Sequence, residues 1–158
     1  MWWRLPRRDY SRGQGAGNRR RLRRLVQDGP APGLLAYDGD EPVGWVAFGP
    51  RREYPVLERS RILQPVDDRT VWSVVCLYVD RRHRRQGVTV GLIQAAGQHA
   101  RRRGARVLEG YPIDAKGAAV PSAFAWTGLA SAFRKAGFRE VARRSPTRPI
   151  MRKVLRPS

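Results

Sequence analysis

Residues 74–104 read VVCLYV, DRRHRRQG and VTVGLIQAAGQHARRRG, which are an apolar run, a basic turn and a segment with helical spacing. The run from Val71 to Val79 is rich in β-branched and aromatic residues, so it predicts a strand buried on both faces. The segment from Thr89 to Arg103 predicts an amphipathic helix that ends at Gly104. The predicted inward stripe of this helix is Leu92, Ile93, Ala95, Ala96, His99 and Ala100.

The basic turn between these two elements has the chemistry of an anion-binding site. The first N–H groups of the helix, at Gly87 to Gly91, have no carbonyl partners inside the helix, and the helix dipole favours negative charge there. Gly87 lets the backbone approach a pyrophosphate closely, and Arg84 and Arg85 add cationic donors for phosphate oxygens. Taken alone, these residues also fit a solvated arginine loop, so the interpretation depends on their surroundings.

The segments on either side of this unit complete a mixed helix and strand pattern. Before it, we predict a helix from Asn18 to Gln27, with Asn18 as N-cap and an apolar face of Leu22, Leu25 and Val26. A hairpin of Leu34–Tyr37 and Val43–Phe48 around Asp38-Gly39-Asp40 follows, and then an irregular stretch over 51–70. After the central unit, we predict a strand from Val107 to Ile113, a helix from Thr127 to Ala136, and a hairpin of Phe138–Arg143 and Pro149–Val154. This order predicts an α+β fold in which helices cover a mixed sheet.

Length and composition predict a single domain over residues 1–158, with a core from about 31 to 155. No apolar run approaches the roughly 20 residues that cross a bilayer, and the basic amino terminus lacks the apolar core of a signal peptide. We therefore expect a cytoplasmic protein that does not associate with a membrane. Cys76 is the single cysteine, and His83 and His99 lie among arginines, so we expect no internal disulfide and no metal site.

Arginine dominates the charge of the chain. The formal net charge is +19, which predicts attraction to polyanions such as nucleic acids and phosphate-rich cofactors. One hypothesis is a basic module that holds nucleic acid nonspecifically through clusters such as Arg19–Arg24 and Arg101–Arg103. The alternative is that biased coding produces this arginine-, glycine-, proline- and alanine-rich mixture without any functional demand.

The basic turn also resembles a known motif. Arg84-Arg85-Gln86-Gly87-Val88-Thr89 is similar to the acetyl-CoA-binding motif of the GNAT superfamily of N-acetyltransferases, which has Gln or Arg, two residues, Gly, one residue, then Gly or Ala. The strand ending at Leu77-Tyr78-Val79 and the segment FRKAGF at Phe133–Phe138 match the order of elements in that superfamily. EGYP at Glu109–Pro112 and RSPTRPIMR at Arg144–Arg152 resemble a bacterial branch of it.

The resemblance implies a mixed, mostly antiparallel central sheet flanked by helices, with a splay between the strands near 71–79 and 106–113. It implies acetyl-CoA as acyl donor, with the pantetheine arm paired along the first strand and a backbone N–H near Leu77 facing the acetyl carbonyl. The implied cofactor-binding residues are Leu77, Tyr78, Val79, Arg84, Arg85, Gln86, Gly87, Val88, Thr89 and Val90. Thr89 departs from the small residue of the motif; it can cap the helix, but it crowds the last phosphate contact.

The same resemblance implies direct transfer of an acetyl group to an amine in a ternary complex, with two departures. The tyrosine that usually acts as acid is matched by Phe133, and the usual asparagine falls near Trp126. We predict Glu109 and Tyr111 as catalytic replacements, because they share one face of an otherwise apolar strand. The alternatives are a salt bridge for Glu109, a packed core aromatic for Tyr111, or a degenerate member that senses acyl-CoA without turnover.

The irregular stretch over 51–70 is the predicted acceptor lid. It carries Glu53, Glu58, Asp67 and Asp68, which would attract a cationic amine that the net charge otherwise repels. The acceptor stays open between a small-molecule amine and a peptide amine. A homodimer through the sheet edges or the C-terminal hairpin is a further expectation.

Overall fold

A computed structural model of the chain describes residues 1–115 and 125–156. The strands are β1 (Gly33–Asp38), β2 (Glu41–Pro50), β3 (Trp72–Val79), β4 (Val107–Gly110), β5 (Arg139–Arg143) and β6 (Pro149–Val154). The helices are α1 (Arg7–Arg12), α2 (Ala16–Asp28), α3 (Pro55–Glu58), α4 (Val88–Arg102) and α5 (Ala130–Lys135). The six strands form one sheet in the order β1-β2-β3-β4-β6-β5, antiparallel throughout except between β3 and β4. The predicted mixed, mostly antiparallel α+β fold is confirmed.

Helix α4 is the crossover that makes β3 and β4 parallel neighbours. It leaves the end of β3, runs across one face of the sheet, and returns the chain at the start of β4. Its buried residues are Leu92, Ile93, Ala96, Gly97 and Ala100, which lie close to the predicted stripe. The unit predicted from residues 74–104 is therefore present, and it occupies the centre of the sheet.

Two predicted elements are shorter than the pattern suggested. The strand predicted to reach Ile113 ends at Gly110, and all four of its residues are buried, so it does not alternate between core and solvent. Ile113 instead forms an isolated bridge with Leu129. The helix predicted from Thr127 begins only at Ala130, because Gly128 takes the left-handed conformation, with φ of 84°, and separates a short 3-10 turn from α5.

Two apolar cores lie on opposite faces of the sheet. The first lies under α4 and α5 and contains Phe48, Ile93 and Phe133. The second lies under the N-terminal segment and the stretch over 51–70, whose Tyr54 and Leu57 are fully buried. The predicted irregular stretch is thus anchored to the sheet, with a 3-10 turn and α3 inside it.

Helix α2 confirms the predicted helix but not its burial. None of its residues is buried, and Leu22 and Val26 on its predicted core face are 38% and 54% exposed. The N-cap is Gly15 rather than Asn18, whose side-chain amide donates instead to the carbonyl of Tyr10 at 2.9 Å. Among the described residues no helix combines the length and the apolarity needed to cross a membrane.

Strand β3 contains a bulge that changes which face its side chains occupy. Ala47 pairs with Cys76 and Phe48 pairs with Val74, so Val75 is an extra residue in the ladder. Val75 and Cys76 consequently both pack on the second core, while Leu77 returns to the first. The carbonyl of Val75 accepts a hydrogen bond from the indole N–H of Trp3 at 2.8 Å, which satisfies a buried backbone group.

Phe133 fills the space beside the last residue of β4. Its ring is fully buried, stands edge-on to Phe138 with centroids 5.0 Å apart, and lies against Gly110 and Gly128. A Cβ atom at Gly110 would overlap this ring. Glycine is therefore required at this position by close approach, in a strand where glycine is otherwise unfavourable.

Replacing Gly110 with alanine should lower the free energy of unfolding by about 1–3 kcal/mol, because the new methyl group overpacks the core against Phe133. Gly91→Ala is the matched control, since a Cβ there meets no heavy atom within 4 Å inside α4. That control should raise stability by up to about 1 kcal/mol. Urea denaturation measures both, and equal midpoints for Gly110→Ala and the wild type would contradict the packing described.

Candidate functional site

The candidate site begins where β3 and β4 part. Their parallel pairing joins Trp72 with Leu108, Ser73 with Glu109 and Val74 with Gly110, and it ends there. The predicted pantetheine-binding residues Leu77, Tyr78 and Val79 remain paired with β2 on their other side. Within the described residues their edge toward β4 has no strand partner, so an extended ligand could pair there with backbone groups other than the Val79 carbonyl, which accepts from Arg84 Nε at 3.1 Å.

The turn between β3 and α4 is shaped by two left-handed residues. Arg85 has φ of 63° and Gly87 has φ of 84°. Gly87 is the N-cap of α4, and no side chain caps the helix, so the predicted capping role of Thr89 is wrong. A left-handed arginine is uncommon and costs backbone strain, which proteins tend to store at functional turns.

A concave site of about 180 Å³ opens at the start of α4. Its lining residues are His83, Arg85, Gly87, Val88, Thr89, Val90, Ser131, Ala132 and Lys135. The N–H groups of the first helical turn have no intrahelical acceptors and carry the positive end of the helix dipole. With the side chains of Arg85 and Lys135, they make this a positively charged site suited to phosphate oxygens.

Two predicted binding residues point elsewhere. The Arg84 side chain turns back, and its Nε donates to the carbonyl of Val79 at 3.1 Å. The Gln86 amide donates to the carbonyl of Arg82 at 2.9 Å. The structure thus places Arg85 and the backbone of Gly87–Val90 at the cavity, whereas Arg84 and Gln86 form hydrogen bonds that stabilise the turn.

Lys135 and Ser131 also line this cavity, although the sequence did not predict either as a cofactor-binding residue. Both come from α5, more than 40 positions after the turn, and no local pattern connects them with it. The only sequence feature that could have indicated Lys135 is that it is a basic residue in the last turn of the short helix before Gly137. Such a residue is also typical of an ordinary helix terminus, so the pattern alone carried no functional information.

Glu109 and Tyr111 lie in a closed ion cluster on the other face of the sheet. Both side chains are 0% exposed. Glu109 Oε1 accepts from Tyr111 at 2.6 Å and from Arg51 Nη1 at 2.9 Å, while its Oε2 accepts from Arg152 Nε at 2.6 Å. The Tyr111 hydroxyl also accepts from Arg51 Nη1 at 2.7 Å and shares a 2.8 Å hydrogen bond with Ser73. Burial, together with the charge of Glu109, raises the pKa of Tyr111 well above its ordinary value.

This cluster extends into the stretch over 51–70. Arg51 also donates to Glu58 and to the carbonyl of Leu63, and Arg152 also donates to Asp67. Glu53 pairs with Arg4 at 2.6 Å. Three of the four acidic side chains that suggested an attractive lid are therefore already neutralised by arginines.

Glu109→Gln should destabilise the protein by about 3–5 kcal/mol, because it leaves two buried arginines without their shared carboxylate. Glu140→Gln is the control, since Glu140 forms its ion pair with Arg143 at the surface. An exposed pair of this kind contributes about 1 kcal/mol or less. Chemical denaturation of both variants provides the comparison, and a loss for Glu109→Gln no larger than for the control would disprove the structural role.

No group of three or more His, Cys, Asp or Glu side chains that could hold a metal ion occurs within residues 1–115 and 125–156. Phe133, which the resemblance matched to the usual acid, is fully buried in the first core, and its ring carries no proton to donate. The described part of the site is thus a positive cavity and an unpaired strand edge.

The model of the acetyltransferase (GNAT) family matches residues 1–113. None of the curated proteins matches the chain. Among solved structures, the PaiA N-acetyltransferase of Thermoplasma acidophilum, in complex with coenzyme A, is 14% identical, with a TM-score of 0.56 over 94% of this chain and 74% of its own.

Two further structures show the same fold. Ard1 from Thermoplasma volcanium is 16% identical, with a TM-score of 0.53 over 85% of this chain and 77% of its own. The ribosomal-protein-S18-alanine N-acetyltransferase of Escherichia coli is 14% identical, with a TM-score of 0.50 over 84% and 76%. At these identities the structural likeness establishes the fold alone.

Proposed function

The chain belongs to the acetyltransferase (GNAT) family, and from this premise we propose that it transfers an acetyl group from acetyl-CoA directly to an amine within a ternary complex. Acetyl-CoA is the donor of this family, and its members act on amines of small molecules or peptides. The observation that carries the proposal is the unpaired edge of Leu77–Val79 leading to the positive cavity at the start of α4.

The residues of this chain fit a phosphate-bearing donor. The N–H groups of Val88, Thr89 and Val90 form the start of the helix, and Arg85 and Lys135 line the same cavity. We assign the pyrophosphate to these groups, because backbone donors and two cations are complementary to its charge. Thr89 lines the cavity without capping the helix, so its hydroxyl is a further donor.

The strand edge fits the rest of the donor. An amide-bearing arm can add to the free edge of Leu77–Val79 as a short strand, with its polar groups paired to the backbone. A backbone N–H near Leu77 then stabilises the negative charge that develops on the carbonyl oxygen during transfer. When bound, acetyl-CoA supplies the thioester whose carbonyl carbon is attacked by the amine.

The chemistry needs little assistance from acidic side chains. The amine nitrogen forms the C–N bond as the C–S bond breaks, and the amine loses one proton while the sulfur gains one. A thiol has an ordinary pKa of about 8.5, so the departing thiolate is a fair leaving group near neutral pH. Water can supply its proton, which agrees with a phenylalanine at position 133, and positioning supplies much of the rate.

Glu109 and Tyr111 remain predictions as catalytic groups, and the geometry supports a positioning role instead. The carboxylate and the hydroxyl are fully buried and hydrogen-bonded inside the cluster with Arg51, Arg152 and Ser73. Ser73 and Glu109 are paired residues of β3 and β4, so the cluster fixes the strands just before they separate.

The double variant Arg85→Gln with Lys135→Ala should weaken acetyl-CoA binding by at least about tenfold, since two charged hydrogen bonds to phosphate oxygens are lost. Isothermal titration calorimetry measures the effect. A control that removes two exposed arginines elsewhere, Arg20→Ala with Arg139→Ala, lowers the net charge equally and should change the affinity little. Equal losses in both would mean that overall charge alone attracts the donor, and no binding to the wild type at high micromolar acetyl-CoA would contradict the proposed function.

A further inference from the structure

A second, larger cavity lies on the face of β3 opposite α4. Its volume is about 410 Å³, which is within the range of about 300–1,000 Å³ typical of small-molecule sites. Val75 and Cys76, the two residues that the bulge places on this face, form part of its wall. The aromatic residues that line it are Trp2, Trp3, Tyr10, Trp45, Tyr54 and Trp126. We call it the aromatic cavity.

The aromatic cavity lies next to the strand edge to which the donor is assigned. This edge is free of β4 after Val74; Cys76 lines the cavity, and Leu77, the next residue, lies in the edge. Trp126 lies in the turn Ala125–Thr127, which packs on β3, and the nearby Gly128 lies against the Leu77 side chain. The cavity and the strand edge for the donor thus adjoin the neighbouring residues Cys76 and Leu77, whose side chains pack on opposite faces of the sheet.

The described wall of the aromatic cavity contains no carboxylate. Of its side chains, only Arg4 is charged, and it is paired with Glu53 at 2.6 Å. Met1 also lines the cavity, and burial lowers the pKa of its amino group. The Arg4 guanidinium also donates to the Tyr54 hydroxyl and lies over the Tyr54 ring, 4.6 Å from its centroid. The indole N–H of Trp3 is committed to Val75. Burial raises the pKa of the Cys76 thiol, so this side chain is neutral as well.

The aromatic and apolar wall of the cavity favours a ligand whose main group is apolar and fits the shape of the cavity. Aromatic rings bind flat or bulky apolar groups through dispersion and burial. Polyamines and other multiply charged amines would find no free carboxylate on the described wall. The net charge of +19 would also repel them. An apolar wall also disfavours an ammonium ion, which lowers the pKa of a bound amine and supplies the neutral nucleophile without a dedicated base.

We propose that the aromatic cavity binds the acceptor, and that the acceptor is a primary amine carried on one uncharged aromatic or bulky apolar group. This inference rests on the proposed function and specifies its substrate class. The amine nitrogen enters the gap at residues 76–77 and forms the amide bond, the thiol is released, and one proton passes from nitrogen to sulfur by way of solvent. A free arylalkylamine and a peptide that begins with an aromatic residue present the same chemistry.

The first experiment measures binding separately from turnover. Four of the five tryptophans, Trp2, Trp3, Trp45 and Trp126, line the cavity, so their fluorescence should change when it is filled. The probes are 2-phenylethylamine, a tripeptide that begins with phenylalanine, ethanolamine and spermidine. We expect a saturable change with one or both of the first two, which distinguishes a free amine from a peptide terminus, and none with ethanolamine or spermidine.

The second experiment measures transfer. With acetyl-CoA present, thiol release should be fastest with the aromatic probe that binds, and Trp126→Ala should lower its kcat/KM by about tenfold or more, as expected when an aromatic wall of a binding pocket is removed. The KM for acetyl-CoA should not change. Trp126→Phe should retain most of the activity, and Trp72→Phe, which alters a tryptophan packed on Phe48 in the first core, is the matched control.

The outcomes separate the two proposals. Saturable fluorescence binding of an aromatic probe without thiol release would overturn the proposed transfer and keep the cavity as a binding site for such amines. Transfer that is fastest to spermidine or ethanolamine would overturn the substrate class and keep the transferase. Absence of probe binding to folded wild-type protein, or equal selectivity in Trp126→Ala, would overturn the cavity assignment. Thermal denaturation confirms that each variant is folded.

Discussion

The parallel pairing of β3 with β4 stops after Val74 and Gly110, where β4 itself ends, and the candidate site is arranged around that point. On the paired side of this point, Ser73 and Glu109 are held in register by a buried cluster of ionic and hydroxyl groups. On the sheet face opposite this cluster, Phe133 fills the space beside Gly110, and a Cβ atom at position 110 would overlap its ring. Leu77–Val79 therefore keep an edge without a strand partner among the described residues, because β4 ends at Gly110 while β3 continues to Val79.

The bulge at Val75 changes which face of the sheet the side chains of β3 occupy. The extra residue interrupts the regular alternation, so Val75 and Cys76 both pack on the second core while Val74 and Leu77 pack on the first. The indole of Trp3 accommodates this irregularity, since it donates to the carbonyl that the bulge removes from the ladder. The second face thereby gains two neighbouring residues of β3, Val75 and Cys76, in the wall of the aromatic cavity.

The large positive charge has different roles in different places. Arg51 and Arg152 are buried with Glu109, where they hold the segment over 51–70 to the sheet. Arg85 is exposed at the helix start, in a strained conformation that keeps it at the anion site. The arginines of α2 remain at the surface, as expected for a solvated face. Net charge is therefore a poor guide to function here, because the fold decides which cations are neutralised and which remain available.

Local patterns were sufficient for much of the fold. The continuous apolar run of β3, the helical spacing of α4, the Asp-Gly hairpin and the Gly87 turn each depend on neighbouring residues, so periodicity and glycine placement predicted them, and the family motif indicated the donor. Predictions that depended on distant partners did not follow. Glu109 and Tyr111 met Arg51 and Arg152, Lys135 joined the turn from another helix, and six aromatic residues from distant segments gathered at one cavity. The sequence by itself determined the strand–turn–helix unit and its basic turn, because those contacts are local. Only the tertiary structure decided which side chains are buried in ion pairs and which line the cavities, because burial and charge neutralisation depend on residues that are distant in the chain.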